Sequence, residues 1–585
     1  MISYHISAAS PVQHTFNITL TFKASQKNTI IQVPFWRPGR YEAGNFTKNF
    51  IGLRASANGE ELKARKTTGH TWNVETTPGE TIEIKYECYS AELTAGNTYL
   101  DEELLLINPV NALVYVLGTE NEPANITLEV AKSWKVATAM IPQKNMDNGN
   151  GIWKYRCADL QELLDTPILA AENIETLTYR ESGIDFHIDI YGDGIADKEK
   201  FKEDLAAFTR AQISAFGEFP VNRYRFLTLL LPHKAYHGVE HETSTVLIMG
   251  PSAELHKREL YKELIGVSSH ELYHTWNVKS LRPADWTPYD FSGPDFSRLG
   301  YVAEGVTTYM GDWMLWQSRF FSDIEFLNEL STHVQRHIDN EGRFNLSLAD
   351  SSIDTWVDGY GRGTPRRRVS IYVEGALVSL ICDIAIMKAT KGKKGLSDAM
   401  RSLYQKVGAK KGFTEAEYWD ELKTFAEIDW NKLRNDLIDS TGKLETYLDD
   451  AFAEMGLVLT ANASEKPWEK EWGVSIQSIN GNWEVYNVLK NSPAEKAAMW
   501  FGDKITEIGG SLPDAFFAAA PPKTMDGISV SLQSGFRTKT VSPKADGKTW
   551  IRKYKVVQDN DSSQDLFKRW KFLLENQAVE VKGVL

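Results

Sequence analysis

The sequence predicts a multidomain protein: an all-β region, then an α+β region with its sheet ahead of its helices, then a second region of short strands. Three observations carry this. The chain has 585 residues, too many for one hydrophobic core, and suggests roughly three or four domains. Residues 1–175 alternate in polarity or run β-branched. Residues 253–460 follow helical periodicity instead, before short strands return.

Taken in order, the first region contains "HTFNITLTFKA", "NTIIQVPFW", "ETIEIKYECYS", "ANITLEVA" and "WKVATAM". Turn clusters such as "ASANGEE" and "NMDNGNG" separate them, and a sandwich is expected over 1–175. The second region, 176–462, opens with the strand "IDFHIDIYG" and the helix "DKEKFKEDLAAFTRAQISAFG". "RYRFLTLLLP" and "STVLIMG" read as buried strands, and "RELYKELIGVSSHELYHTW" and "EGALVSLICDIAIMKAT" as helices. The third region spans 463–560. A tail, 561–585, holds "SSQDLFKRWKFLLEN", expected as one amphipathic helix. There is no internal repeat.

Composition excludes several function classes. With 65 Lys+Arg against 78 Asp+Glu, the net charge is −13, and no long basic run offers a nucleic-acid footprint. The clusters at 366–368, 551–555 and 568–571 are short and read as solvated faces. Cys88, Cys157 and Cys382 are far apart and odd in number, so neither a disulfide framework nor a thiolate metal site is expected. No run of about 18 apolar residues suits a membrane helix, and the N-terminus lacks the pattern of a signal peptide. The expectation is a cytoplasmic protein without membrane insertion.

The chemistry concentrates in "GVSSHELYHTWNVKSLRP", residues 266–283. His270 and His274 stand at i and i+4 of a helical segment, so both imidazoles lie on one face, one turn apart. That spacing lets both reach one Zn²⁺, while Glu271 is placed to take a proton from water. The competing reading is a polar helix surface. Catalytic zinc sites keep three protein ligands. Glu304, in the apolar helical stretch "LGYVAEGVTTYMGDW", is the predicted third, because a lone carboxylate there is costly unless paired or metal-bound. A solvent-facing glutamate at a helix start is the alternative, and Glu325 and Glu329 are weaker candidates in a more polar segment.

"HELYHTWNVKSLRP" followed by "YVAEGVTTYMGD" resembles the glycyl aminopeptidase family of PDZ-containing zinc peptidases, gluzincins distantly related to aminopeptidase N. Four further stretches agree in order: "VPFWRPGRYEAGNFTKNF", "HGVEHETSTVL", "SIYVEGALVSLICDIAI" and "SPAEKAAMWFGDKITEIGG". The resemblance implies a thermolysin-like catalytic domain after the β domain, then a PDZ-like domain able to take a C-terminal peptide. It implies one Zn²⁺ per chain on His270, His274 and Glu304, with Glu271 as base. Glu240, with Gly238 and His241 in the same segment, would bind substrate, Glu240 holding its free α-amino group. Tyr372 would donate to the oxyanion. Without the family, Glu240 reads as an edge-strand charge and Tyr372 as a core tyrosine at a helix start. The implied activity is removal of small N-terminal residues, Gly or Ala, from peptides. A zinc endopeptidase with PDZ-recruited substrates and an inactive interaction protein are the competing functions. Two departures from the family pattern stand out: His237 replaces a glycine and Glu374 a lysine.

Overall fold

The computed structural model describes residues 2–143, 149–361, 363–408 and 411–575. Its N-terminal region is β-rich, as the alternation requires. Thr81–Tyr89 buries every second residue (Ile82, Ile84, Tyr86, Cys88) and pairs along its length with Thr15–Lys23. Both belong to an eight-stranded sheet, and two four-stranded sheets complete the region. One large core lies among them.

Next comes a five-stranded sheet in the order Ile174–Glu181, Ile184–Tyr191, Arg223–Leu230, Ser244–Gly250, Ala235–Glu240. Its central pairs are parallel and both outer pairs antiparallel. Ser244–Gly250 is buried at every position, as expected of a covered inner strand. Ala235–Glu240 forms the edge, with Glu240 opposite Thr245. A second core joins this sheet to the N-terminal region: Leu104, Leu106 and Leu169 pack with Leu227, Leu229, Val246 and Ile248.

Helices follow: Arg258–Tyr273, Thr307–Gln317, Asp323–Asp339 and Val373–Ala389 among them. Lys198–Phe216 precedes them, capped by Asp197, whose side chain accepts from the Lys200 amide, and closed by Gly217 at φ +88°.

The chain divides into two compact units. One comprises Met1–Glu329, Arg336–Gly456 and Asp561–Leu585, and the other Leu330–Gln335 with Leu457–Asn560. The second unit holds an antiparallel five-stranded sheet, Val474–Ile479 through Arg537–Val541, and a two-stranded ribbon of Leu457–Ala463 with Arg552–Gln558.

The tail helix is shorter than expected, Asp565–Lys571. Its Trp570 indole donates to buried Asp383 at 2.9 Å, and the Leu574 amide turns to Gln317 Oε1 at 3.3 Å instead of continuing the helix. Residues 576–585 lie outside the described residues.

Candidate active site

The helix Arg258–Tyr273 delivers the paired histidines. His270 Nε2 and His274 Nε2 stand 3.0 Å apart, with Glu304 Oε2 at 3.8 Å from the first and 3.4 Å from the second. All three ligand-type atoms converge on one point. Glu304 sits not in an ordinary α-turn but in a π-helical turn, Tyr301–Val306. Such turns are rare and concentrate at functional sites.

The orientation of His274 is fixed from behind. Its Nδ1 donates to the Asn277 carbonyl at 2.8 Å, which turns Nε2 toward the cluster. Asn277 Nδ2 in turn donates to the Val302 carbonyl at 2.9 Å and Thr307 Oγ1 at 3.0 Å. One asparagine thereby ties the histidine turn to the turn carrying Glu304. Glu304 Oε1 accepts from the Tyr41 hydroxyl at 2.8 Å. The Tyr41 ring stacks on Trp286, with centroids 4.7 Å apart and planes 15° apart. The segment between His274 and Glu304 is therefore a wall, also holding Trp36 through its indole bond to the Asp290 carbonyl at 2.7 Å.

Glu271 is buried beside His274, and its Oε2 has no hydrogen-bond partner among the described residues. Burial pushes its carboxyl above the usual carboxylate range, with His274 pulling down and Glu240 and Glu304 adding upward repulsion. Gly238 leaves it room: a Cβ there would collide with Glu271 Oε1. Burial holds His270 well below the usual histidine range. Burial also pulls on His274, but the Glu304 carboxylate outweighs it and raises the group to about 9. Three buried carboxylates face two imidazoles here, a donor set that fits a divalent cation of borderline softness.

Glu240 is buried at the end of its edge strand, with Oε1 unpartnered among the described residues. It also converges with Glu271 and His274. Gly39, at φ +78°, lies so close that a Cβ would strike the Glu240 carboxylate. Tyr372 precedes the helix Val373–Ala389, and its ring lies 6.4 Å from that of His270. Its hydroxyl is 3.4 Å from that of Tyr360. Burial, and then the Glu304 charge, keep Tyr372 protonated well above the ordinary tyrosine range.

Other predicted residues lie elsewhere. His241 turns its Nδ1 to Asp165 Oδ1 at 3.2 Å, in an ion cluster completed by Lys279. Glu374 points to His337 Nδ1 at 2.6 Å, so its negative charge is engaged away from the histidine pair. Glu325 caps its own helix at Ser322 and pairs with Arg258, and Glu329 meets Lys262. Sequence reasoning missed Tyr41 and Tyr360. Tyr41 stood inside "WRPGRY", but nothing local marked it as facing Glu304, hundreds of positions away.

Residues 3–172 match the family model described as the Peptidase M61 N-terminal domain, and residues 263–378 the one described as M61 glycyl aminopeptidase. No curated protein matches the chain. Among solved structures, the aminopeptidase N family protein from Idiomarina loihiensis has the same fold. It is 24% identical with a TM-score of 0.89, over 97% of this chain and 100% of that one. The M1 zinc metallopeptidase from Deinococcus radiodurans aligns over 77% of this chain and 93% of that one, at 14% identity and a TM-score of 0.48. Family models thus match both the β-rich N-terminal region and the stretch carrying both histidines, Glu271, Glu304 and Tyr372, and the chain belongs to the M61 glycyl aminopeptidase family of metallopeptidases.

Proposed function

We propose that the protein is a zinc-dependent aminopeptidase that removes small N-terminal residues, Gly or Ala, from peptides. The observation that carries this reading is the convergence of His270, His274 and Glu304, with Glu240 and Glu271 grouped on the same His274. A zinc ion on His270, His274 and Glu304 would supply Lewis-acid activation of water and of the scissile carbonyl. Glu271 takes the proton of the attacking water and passes it to the leaving amine. The Tyr372 hydroxyl donates to the oxyanion, a contribution of about 2.7–4 kcal/mol in comparable sites. Glu240 holds the substrate's α-ammonium by a charge-assisted hydrogen bond, which limits cleavage to the first residue. Gly238 keeps the cleft wall clear of Glu271.

Glu271→Gln is expected to retain stoichiometric zinc while lowering turnover of an alanyl anilide about 10³-fold. Full activity in that variant would sink the reading. N-acetylated substrates are expected to be inert, and their cleavage would favour an endopeptidase. A purified protein without zinc and without activity would point to an interaction protein. A cytoplasmic location accords with three free, buried cysteines. The PDZ-like reading of the second unit accords with its antiparallel sheet and the short helix Pro493–Lys496. Titration with labelled peptides bearing free or amidated C-termini tests it.

A further inference from the structure

Two carboxylate oxygens of the active site stay unpaired. Glu240 is 4% and Glu271 5% exposed, and among the described residues Glu240 Oε1 and Glu271 Oε2 have no hydrogen-bond partner. A buried carboxylate oxygen left without a partner is costly and needs a bound group to compensate it. The third carboxylate differs. Glu304 Oε1 accepts from Tyr41 at 2.8 Å, and its Oε2 lies 3.4 Å from His274 Nε2.

An edge strand and a helix bring the two open carboxylates together. Gly238 and Glu240 are two positions apart in Ala235–Glu240, so they share one face of the strand. Glu271, on the helix Arg258–Tyr273, reaches the strand at Gly238, where a Cβ would collide with its Oε1. A Cβ at Gly39 would likewise strike the Glu240 carboxylate. One ligand-type atom from each of Glu240, Glu271 and His274 lies within 4.8 Å of the others. His274 has one nitrogen to offer, because its Nδ1 is bonded to the Asn277 carbonyl. It also belongs to the group with His270 and Glu304. The two groups therefore overlap at His274, and what remains of the second is carboxylate alone.

We infer that Glu240 and Glu271 form a second divalent-cation site, filled between substrates. This rests on the zinc aminopeptidase reading above. Zinc takes the imidazole set, because nitrogen donors hold it more tightly than harder divalent ions such as Mn²⁺. Carboxylate oxygens, with water completing the shell, suit the harder ion. Charge leads the same way. Glu240, Glu271 and Glu304 as carboxylates exceed the charge of one zinc ion, and a substrate ammonium balances the surplus during turnover. In its absence the surplus attracts a cation. Such a cation engages both the carboxylate that holds the ammonium and the one that serves as base, so it competes with substrate.

The test titrates zinc-loaded, full-length protein with Mn²⁺ and counts bound ions from the loss of the free-ion electron paramagnetic resonance signal. Wild type is expected to bind one Mn²⁺ per chain beyond its zinc, with Kd no weaker than about 1 mM. Glu240→Gln and Glu271→Gln are each expected to keep zinc and to weaken Mn²⁺ at least about 10-fold. Alaninol, an ammonium with no amide to cleave, is expected to displace the ion. Mn²⁺ is expected to raise KM for an alanyl anilide with kcat unchanged. No Mn²⁺ bound by wild type at about 1 mM overturns the inference, whether or not the variants fold. Binding undiminished in both variants places the ion elsewhere and also overturns it. Mn²⁺ lost in both variants but not displaced by alaninol upholds the cation site and overturns Glu240's role in holding the ammonium, a failure of the aminopeptidase reading alone.

Discussion

Tyr41 donates to Glu304 across 263 positions of chain, and that single bond sets which carboxylate oxygen faces the histidines. Hydrogen bonds behind a metal ligand typically matter for affinity by about 10- to 100-fold. Tyr41→Phe is accordingly expected to weaken zinc binding by about that factor in a chelator competition, and unchanged affinity would show that the hydroxyl does not orient the ligand. Gly238 is as demanding for the opposite reason. Gly238→Ala places a methyl where Glu271 Oε1 lies. Turnover is expected to drop at least about 10-fold with zinc retained, because a misplaced general base loses much of its effect. Neither residue could be given these reasons from the sequence. Gly238 was singled out by resemblance alone, and Tyr41 was quoted without a role.

Between elements, close approach decides the geometry. The π-helical turn Tyr301–Val306 meets the helix Val373–Ala389 glycine to glycine, where a Cβ on Gly305 would overlap the Gly375 backbone. Gly305→Ala is expected to cost about 1–3 kcal/mol in urea unfolding, since backbone on that side cannot yield as a flexible side chain would. On the far side of the same helix, Glu374 meets buried His337, which also stands 3.6 Å from Glu445 Oε1. Burial pulls His337 down, but the two carboxylates outweigh it and raise it to about 9. A histidine raised in the folded state stabilises fully below its unfolded value of about 6.5 and loses that contribution as pH climbs through 9. Unfolding free energy is thus expected to fall by at most about 3 kcal/mol between pH 6.5 and 9. Most of this slope should vanish in His337→Gln, and a wild-type slope matching the variant's would refute it.

At the scale of the molecule, the N-terminal β region and the five-stranded sheet share one core and one compact unit. The region that supplies Tyr41 is thereby part of the unit that holds the histidines. The second unit carries its own core around Trp472, Val474, Val485, Ile508 and Leu532. Two calorimetric transitions are expected, of which zinc raises only that of the larger unit. At a thousandfold excess over Kd the shift corresponds to about 4 kcal/mol. A single transition, or a zinc shift in both, would contradict this division. No helix among the described residues is long and apolar enough to cross a membrane.

The sequence by itself determined what local geometry controls. The i, i+4 histidines had to share a helix face because 3.6 residues make a turn, and alternating polarity required half-buried strands. Glu304 was legible because a carboxylate in an apolar stretch needs a partner. Only the tertiary structure decided the rest. The π-helical turn has no period distinct enough to read, and the tail helix stops where Leu574 finds Gln317. Tyr41 joins the site through its bond to Glu304 and Tyr360 meets the Tyr41 amide, contacts between segments remote in sequence, and no local pattern encodes a partner hundreds of residues away.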